Sequence, residues 1–230
     1  MKKIVILTGS SGNLGSMISE RMKDEKDIIP ILVSSRKKVK GTFYVNFKSS
    51  NSIENFFKTI KKNYGAANIL INNAAVSTLK DFSDFVNQSE DKRIHETYLI
   101  NSISTVFFIK YFLKGLENKG VVINLLNRSS IFGGRRHIDY YSSKGSIYNA
   151  TRSFSNDYKK CTFFNFLPGP IGTKKGQCNP NILVETIIRY IYQDFKYSYK
   201  DIYFEKNFDY LQVLIRNLKN ILKFSKNIGR

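Results

Sequence analysis

The segment Thr8-Gly9-Ser10-Ser11-Gly12-Asn13-Leu14-Gly15 follows the apolar run Ile4–Leu7 and precedes a helical pattern. Its glycines recur at every third position, where a tight turn, a close backbone approach to a ligand and a close helix–strand contact each exclude a side chain. The free N–H groups and the dipole at the start of the following helix favour negative charge. The segment therefore predicts a strand, a turn and a helix that hold the phosphates of a dinucleotide.

Apolar runs alternate with helical patterns along the rest of the chain. The runs lie near residues 4, 29, 43, 69, 121, 163 and 202, and the helical patterns cover 16–23, 52–63, 95–118 and 141–158. This alternation is typical of a parallel sheet covered on both faces. We therefore predict an α/β fold, a single Rossmann-type doubly wound parallel sheet of about seven strands with helices on both faces. Asp201–Glu205 would be its edge strand.

No linker, repeat or low-complexity tract divides the chain, so residues 1–206 are expected to form one NAD(P)-binding domain. Residues 207–230 predict an amphipathic basic helix, because apolar residues such as Leu211, Leu214 and Leu218 recur at helical spacing. We expect this helix to pack on the domain or on a partner subunit. Peripheral association with an anionic membrane is the alternative.

The formal net charge of +19 would attract polyanions. However, the basic residues are dispersed, apart from Lys37–Lys40 and the tail, so no specific nucleic acid partner is expected. The 2 cysteines and 2 histidines predict neither a disulfide framework nor a metal site. Ile4–Leu7 is too short for a signal core, and no apolar stretch is long enough to span a membrane, which favours a cytoplasmic protein.

Further motifs follow the glycine turn in a fixed order. They are Asn72-Asn73-Ala74-Ala75 after an apolar run, a helix-borne Asn101, the pair Tyr140 and Lys144, and Pro168–Thr173. With these motifs the chain resembles the short-chain dehydrogenase/reductase family over most of its length. One departure is Asn13, which stands where ordinary members carry their second glycine.

The resemblance implies an NAD(P)-dependent oxidoreductase that reduces a carbonyl or oxidises the matching alcohol. Tyr140 would exchange the proton, which a phenol with an ordinary pKa near 10 does poorly at neutral pH. Lys144 lies four residues later on the same helix face, and its charge would lower that pKa while its ammonium holds the cofactor ribose. Asn101 would hold a water that links the lysine to solvent. The family's serine, which polarises the substrate oxygen, has no certain counterpart.

Two alignments remain open for that serine position. Without gaps it falls on Asn127, thirteen residues before Tyr140, and a carboxamide can donate a hydrogen bond to a carbonyl but cannot relay a proton. A shifted register offers Ser129 or Ser130 instead. We prefer the ungapped alignment, which keeps a second hypothesis open: a non-catalytic protein of the same fold that binds or senses NADP(H).

The cofactor is expected to be NADP(H), with NAD(H) as the alternative. After Ile28–Val33 the chain presents Ser34-Ser35-Arg36 and no carboxylate, and a guanidinium there can pair with a 2′-phosphate. Asn46-Phe47 would border the adenine. The expected cofactor-binding residues are Gly9, Ser11, Gly12, Asn13, Leu14, Gly15, Ser35, Arg36, Asn46, Phe47, Asn73, Ala74, Ala75, Pro168, Gly169, Ile171 and Thr173.

The partners are expected to be a small carbonyl or alcohol substrate and, by the resemblance, further copies of the chain in a homo-oligomer. The substrate pocket would be shaped by two loops, Gly134–Asp139 and Thr173–Leu183. Their basic residues point to an anionic substrate. These residues are Arg135, Arg136, Lys174 and Lys175.

Overall fold

The computed structural model describes residues 2–77, 91–193 and 198–204. Its strands lie at the seven apolar runs and form one parallel sheet in the order β3-β2-β1-β4-β5-β6-β7. This confirms the expected Rossmann-type α/β fold. The strands are β1 (Lys3–Thr8), β2 (Ile28–Ser34), β3 (Phe43–Tyr44), β4 (Ile69–Asn72), β5 (Gly120–Leu125), β6 (Cys161–Leu167) and β7 (Tyr199–Tyr203).

Helices connect these strands within the described residues. They are α1 (Asn13–Lys23), α2 (Ser50–Tyr64), α3 (Asp91–Tyr98), a π-helical turn (Leu99–Ile103), α4 (Ser104–Gly115), α5 (Ser129–Phe132), α6 (Ile138–Asp157) and α7 (Pro180–Tyr192).

Each face of the sheet has its own apolar core. On one face α1 and α7 bury Ile18 and Ile187 against the sheet, and on the other α2 and α4 bury Phe56 and Phe108. Burying a side chain of this size contributes about 1.5–3 kcal/mol. The two cores place helices on both faces, as the sequence predicted.

The strand order reverses at β1: β2 and β3 lie on one side of it, and β4 and the later strands lie on the other. In doubly wound sheets, ligands bind at the carboxyl ends of the strands beside such a reversal. The turn at Gly9–Gly15 follows the carboxyl end of β1, and Asn73 follows that of β4. The topology therefore brings the first and second sequence motifs to one place.

A row of polar residues crosses four strands at one register. Asn72, Asn124, Asn165 and Asp201 are successive partners on β4, β5, β6 and β7. Asn72 Nδ2 donates to Asn124 Oδ1 at 2.8 Å, and Asn124 Nδ2 donates to Thr151 Oγ1 at 2.9 Å and to Asn165 Oδ1 at 3.3 Å. Buried amides need such partners, so this row fixes the strand register just ahead of the residues that form the site.

Both loops expected to shape the substrate pocket are shorter than predicted. The first ends where α6 begins at Ile138, and the second ends where α7 begins at Pro180. Asn179 caps α7 by accepting a hydrogen bond from the Asn181 N–H at 2.9 Å, and Pro180 occupies the first turn, where it needs no N–H partner.

The end of the chain carries two further predictions. The edge strand begins at Tyr199, two residues earlier than expected, and ends at Tyr203. The predicted helix over 207–230 lies outside the described residues. No helix within the described ranges is both long and apolar enough to cross a membrane.

Candidate functional site

The glycine turn is shaped so that side chains do not fit. Gly9 has a φ of +67°, and a Cβ on it would lie 2.7 Å from Ala74 Cα. A Cβ on Gly15 would collide with the carbonyl oxygen of Gly9. Helix α1 begins at Asn13, and Gly12 before it supplies no side-chain cap. The turn thus presents uncapped N–H groups at a helix start, which suits a phosphate.

A cleft of about 280 Å³ opens over this turn. It brings together most of the residues predicted to bind the cofactor, and Val76 and Ile100, which were not predicted, complete its wall. The predicted residues in the lining are Gly9, Ser11, Gly12, Asn13, Leu14, Gly15, Ser35, Arg36, Phe47, Asn73, Ala74 and Ala75.

Some predicted residues do not line the cleft. The exposed Asn46 accepts a hydrogen bond from the Lys48 N–H at 3.1 Å, while its neighbour Phe47 does line the wall. Pro168 and Gly169 are buried beyond β6 instead. Ile171 and Thr173 follow them in the same loop, exposed to solvent.

Ser34 joins the end of β2 to the glycine turn. It is fully buried, its Oγ lies 2.9 Å from Ser11 Oγ, and it accepts a hydrogen bond from the Arg36 N–H at 3.0 Å. This serine occupies the strand end where a carboxylate would accept hydrogen bonds from a ribose. Arg36 is exposed and lines the cleft. The segment Ser34-Ser35-Arg36 at the rim of the cleft therefore carries a positive charge and no carboxylate.

Tyr140 and Lys144 lie one turn apart on α6, as the spacing predicted. Burial raises the pKa of Tyr140 to about 12, and the neighbouring Tyr141 adds to this shift. Burial lowers the pKa of Lys144 to about 8, and its Nζ donates to the Leu125 carbonyl oxygen at 2.8 Å. The expected lowering of the Tyr140 pKa by Lys144 is therefore not seen in this arrangement, because desolvation is the larger effect and the ammonium faces Leu125.

Asn101 lies in the π-helical turn and clamps two elements together. Its Oδ1 accepts from the Val76 N–H at 2.8 Å, and its Nδ2 donates to the Val76 carbonyl oxygen at 2.8 Å and to Ser143 Oγ at 3.0 Å. Ser143 Oγ in turn donates to the Tyr140 carbonyl oxygen at 2.8 Å. Both amide hydrogens are thus used to tie the cleft wall to α6, and the water expected at Asn101 stays a prediction.

Asn127 follows the carboxyl end of β5 with one residue between, and Ser129 and Ser130 lie beyond it in α5. The Oδ1 of Asn127 accepts a hydrogen bond from the Ser129 N–H at 2.8 Å, so its oxygen is turned towards α5. Its Nδ2 has no hydrogen-bond partner among the described residues. The Ser130 hydroxyl is buried and likewise has no hydrogen-bond partner within the described ranges.

The model of the family described as short chain dehydrogenase matches residues 3–179. The chain belongs to the short-chain dehydrogenase/reductase family. Curated relatives include the NAD-dependent glycerol dehydrogenase of Listeria innocua, 24% identical over 68% of this chain and 65% of that protein. The 3-oxoacyl-[acyl-carrier-protein] reductase FabG of Haemophilus influenzae is 23% identical over 67% of each. The chain spans about two thirds of the length of these relatives.

Solved structures of short-chain dehydrogenases have the same fold. A short-chain dehydrogenase from Streptomyces avermitilis superposes with a TM-score of 0.83 at 12% identity, covering 100% of this chain and 98% of that one. An alcohol dehydrogenase from Thermococcus sibiricus, complexed with 5-hydroxy-NADP, gives a TM-score of 0.76 at 18% identity, covering 88% of this chain and 96% of that one.

The segment Pro168–Thr173, which resembles a short-chain dehydrogenase motif, lies beside the turn after β5. The Arg128 N–H donates to the Pro168 carbonyl oxygen at 3.1 Å. The loop then closes on itself, since the Cys178 N–H donates to the Pro170 carbonyl oxygen at 2.9 Å and the Gly172 N–H donates to the Cys178 carbonyl oxygen at 3.0 Å. It therefore borders the carboxyl edge of β5 and β6 as a folded loop.

Val76 and Ser143 were missed as residues of this short-chain dehydrogenase site. Val76 directly follows the motif Asn72-Asn73-Ala74-Ala75, and nothing in its own type points to a role. Ser143 lies inside Tyr140-Tyr141-Ser142-Ser143-Lys144, directly before the lysine, so its position in the motif could have identified it as a residue of the site. Both matter because Asn101 binds them.

Proposed function

We propose that this protein is an NADPH-dependent oxidoreductase that reduces a carbonyl, or oxidises the matching alcohol, with Tyr140 as acid/base. The observation that carries the proposal is the position of Tyr140 and Lys144 on α6, with α6 tied through Ser143 and Asn101 to the wall of the glycine-lined cleft. A proton-transfer group and a nucleotide-sized cleft are thereby held on one rigid frame.

The residues of the cleft fit a nicotinamide dinucleotide. Gly9 and Gly15 allow the turn to pack closely on Ala74 and on itself, and the start of α1 offers uncapped N–H groups to a pyrophosphate. Arg36 on the rim would pair with a 2′-phosphate, since a guanidinium binds phosphate through two parallel hydrogen bonds. When bound there, the cofactor would supply or accept the hydride.

The protein's own part is to supply a proton and to hold the substrate oxygen. With a pKa raised to about 12, Tyr140 stays protonated at neutral pH and serves as a proton donor to the oxygen of a reduced carbonyl. Lys144, with a pKa lowered to about 8, remains mostly charged at pH 7, and its ammonium would hold the cofactor ribose. Asn127, whose Oδ1 is engaged by Ser129, has its Nδ2 to donate to the substrate oxygen.

A second candidate is a protein of the same fold that binds or senses NADP(H) without turnover. It is favoured by the Asn127 side chain, which carries no hydroxyl and is turned towards the Ser129 N–H. The position of the Lys144 ammonium on Leu125 also favours it, because a charge held there does not lower the Tyr140 pKa.

A Tyr140→Phe variant separates the two candidates, with Tyr141→Phe as the neighbouring control. NADPH consumption is followed with a panel of aldehydes and ketones, and NADPH binding is titrated in parallel. We expect Tyr140→Phe to lose about 10²–10⁴-fold in turnover while binding is retained, and Tyr141→Phe to stay active. Full turnover by Tyr140→Phe would overturn the assignment, and binding without turnover by the unmodified protein would support the second candidate.

We further propose that the protein acts in the cytoplasm as a homo-oligomer, with residues 207–230 as a separate helix on the domain or on a partner subunit. The family resemblance and the amphipathic pattern of that segment support this. Light scattering of the full chain and of a chain ending at residue 206 tests it. A monomeric mass for the full chain would contradict the homo-oligomer.

A further inference from the structure

We infer that the substrate of this site carries an anionic carboxylate or phosphate group, and that Arg135 and Arg136 bind it. This inference rests on the proposed function and specifies its substrate class. The two arginines lie in the connection between α5 and α6, a few residues ahead of Tyr140, and both are exposed. They therefore face solvent on the connection that leads into the helix of Tyr140.

The arginine pair is held between two fixed points. On one side Gly134 packs so closely that a Cβ on it would lie 2.7 Å from the Tyr141 ring and 2.9 Å from Ser129 Oγ. On the other side His137 Nδ1 lies 3.0 Å from Ser77 Oγ, and the imidazole meets the Tyr141 ring edge-on with 6.1 Å between the ring centroids. The short segment that carries the guanidinium groups is thus anchored to the catalytic helix.

The backbone between these points adopts a conformation that side chains disfavour. Arg136 has a φ of +64° and His137 a φ of +49°, and Gly133, three residues before Arg136, has a φ of +74°. Non-glycine residues rarely hold positive φ, and such conformations persist where the surroundings impose them, often at binding sites. Here the contacts of Gly134 and His137 impose it, and the result is a sharp turn that presents Arg135 and Arg136.

The mouth of the site is positive at its surface, because the nearby Asp139 is buried and accepts a hydrogen bond from Thr97 Oγ1 at 2.7 Å. The segments 127–138 and 168–179 contain no aspartate or glutamate, and Arg135, Arg136, Lys174 and Lys175 make no ion pair within the part of the chain described. The two segments lie side by side, because the Arg128 N–H donates to the Pro168 carbonyl oxygen. By contrast, Lys48, Lys58 and Lys61 elsewhere on the surface all pair with glutamates.

The residue type adds to the argument. The chain has 27 lysines and 10 arginines, yet three of those arginines, Arg128, Arg135 and Arg136, fall within 127–138. A general excess of positive charge would place lysines there. Arginine is the side chain that binds carboxylate and phosphate through a planar, two-point contact.

The test compares matched charged and neutral aldehydes. One pair is 4-carboxybenzaldehyde and methyl 4-formylbenzoate, and the other is glyceraldehyde 3-phosphate and glyceraldehyde. Binding of each aldehyde to the full chain is measured by calorimetry with NADP⁺ present, where no hydride is available for reduction, and turnover is measured separately with NADPH. The variant is Arg135→Ala/Arg136→Ala. The control is Lys62→Ala/Lys119→Ala, which removes two exposed charges from the last turn of α2 and from the residue before β5, at the edge of the sheet opposite the carboxyl ends of the strands.

We expect the unmodified protein to bind at least one anion more tightly than its neutral partner. The arginine variant should lower that preference by about 10–100-fold, since charge-assisted hydrogen bonds are lost, and the control should keep it. The aldehyde pair that shows the preference distinguishes carboxylate from phosphate. Equal binding within both pairs, or a preference that survives in the arginine variant, would overturn the inference.

Failure of the proposed function gives a different pattern. Anion-selective binding without turnover would refute the enzyme and keep the anion site, whereas turnover of the neutral aldehydes without any anion preference would refute only the anion site.

Discussion

Replacing the buried Lys144 by methionine should change how the stability of the protein depends on pH. Lys144 is 3% exposed, and burial lowers its pKa from 10.5 to about 8. The folded chain therefore binds this proton less tightly than the unfolded chain does. Unfolding takes up a proton in the window between these two pKa values, so the destabilisation that Lys144 causes is full below pH 8 and fades as pH rises towards 10.5.

The magnitude follows from the two pKa values. One pKa unit corresponds to about 1.4 kcal/mol, so the charged lysine costs about 3 kcal/mol of folding stability at pH 7. By the same relation the cost falls to about 2 kcal/mol at pH 9 and to about 1 kcal/mol at pH 10. Lys144→Met also loses the hydrogen bond to the Leu125 carbonyl oxygen, and the change of that bond on deprotonation is already contained in the folded-state pKa. The difference between two pH values thus isolates the charge.

Urea unfolding of the unmodified protein and of Lys144→Met at pH 7 and pH 9 measures this difference. We expect the unmodified protein to gain about 1 kcal/mol relative to the variant between the two pH values. Lys62→Met, at an exposed position, is the control and should follow the unmodified protein. If Lys144→Met follows it as well, Lys144 is not a buried cation and the description of the site is wrong.

Two further substitutions test the cleft and its frame. Asn101→Ala removes three hydrogen bonds to Val76 and Ser143 and should lower the free energy of unfolding by about 2 kcal/mol. For a chain of this size, that corresponds to a drop of about 4–8 °C in Tm, and an unchanged Tm would show that the clamp does not form. Gly9→Ala should weaken NADPH binding by about tenfold or more in a fluorescence titration, because its Cβ would meet the backbone of Ala74. The control Gly41→Ala has a similar φ, +74°, with nothing within 4 Å of its Cβ, so equal effects of the two substitutions would refute the steric argument.

β1, β2, β4, β5 and β6 were predictable because each is a mostly apolar run that is largely buried. The edge strand β7 contains Lys200 and Asp201, and it was indicated by the apolar residues around Ile202. Even β3, which has only two residues in the ladder, was indicated by Thr42–Val45. The start of α7 was missed although Asn179-Pro180 is a helix-start signal and Leu183 and Ile187 follow at helical spacing. That error came from extending the substrate loop by resemblance across a local signal that contradicted it.

The arrangement around Asn101 could not be predicted from the sequence. Its partner Val76 lies 25 positions earlier, and no property of a valine shows that its backbone is bound by an amide. The pKa of Tyr140 was also misjudged, because a shared helix face shows that Lys144 is near but not that its ammonium faces Leu125. Local patterns give positions along an element, whereas the direction of a charge depends on the packing around it.

Titration of the purified protein with NADPH and with NADH, followed by nicotinamide fluorescence, tests the central claim most directly. The chain has no tryptophan, so the protein background is low. We predict that NADPH binds about 10–100-fold more tightly and that Arg36→Ala removes this difference, because the guanidinium on the cleft rim pairs with the 2′-phosphate. Equal affinities, or a preference that Arg36→Ala leaves intact, would contradict the cofactor assignment, and binding of neither nucleotide would contradict the account as a whole.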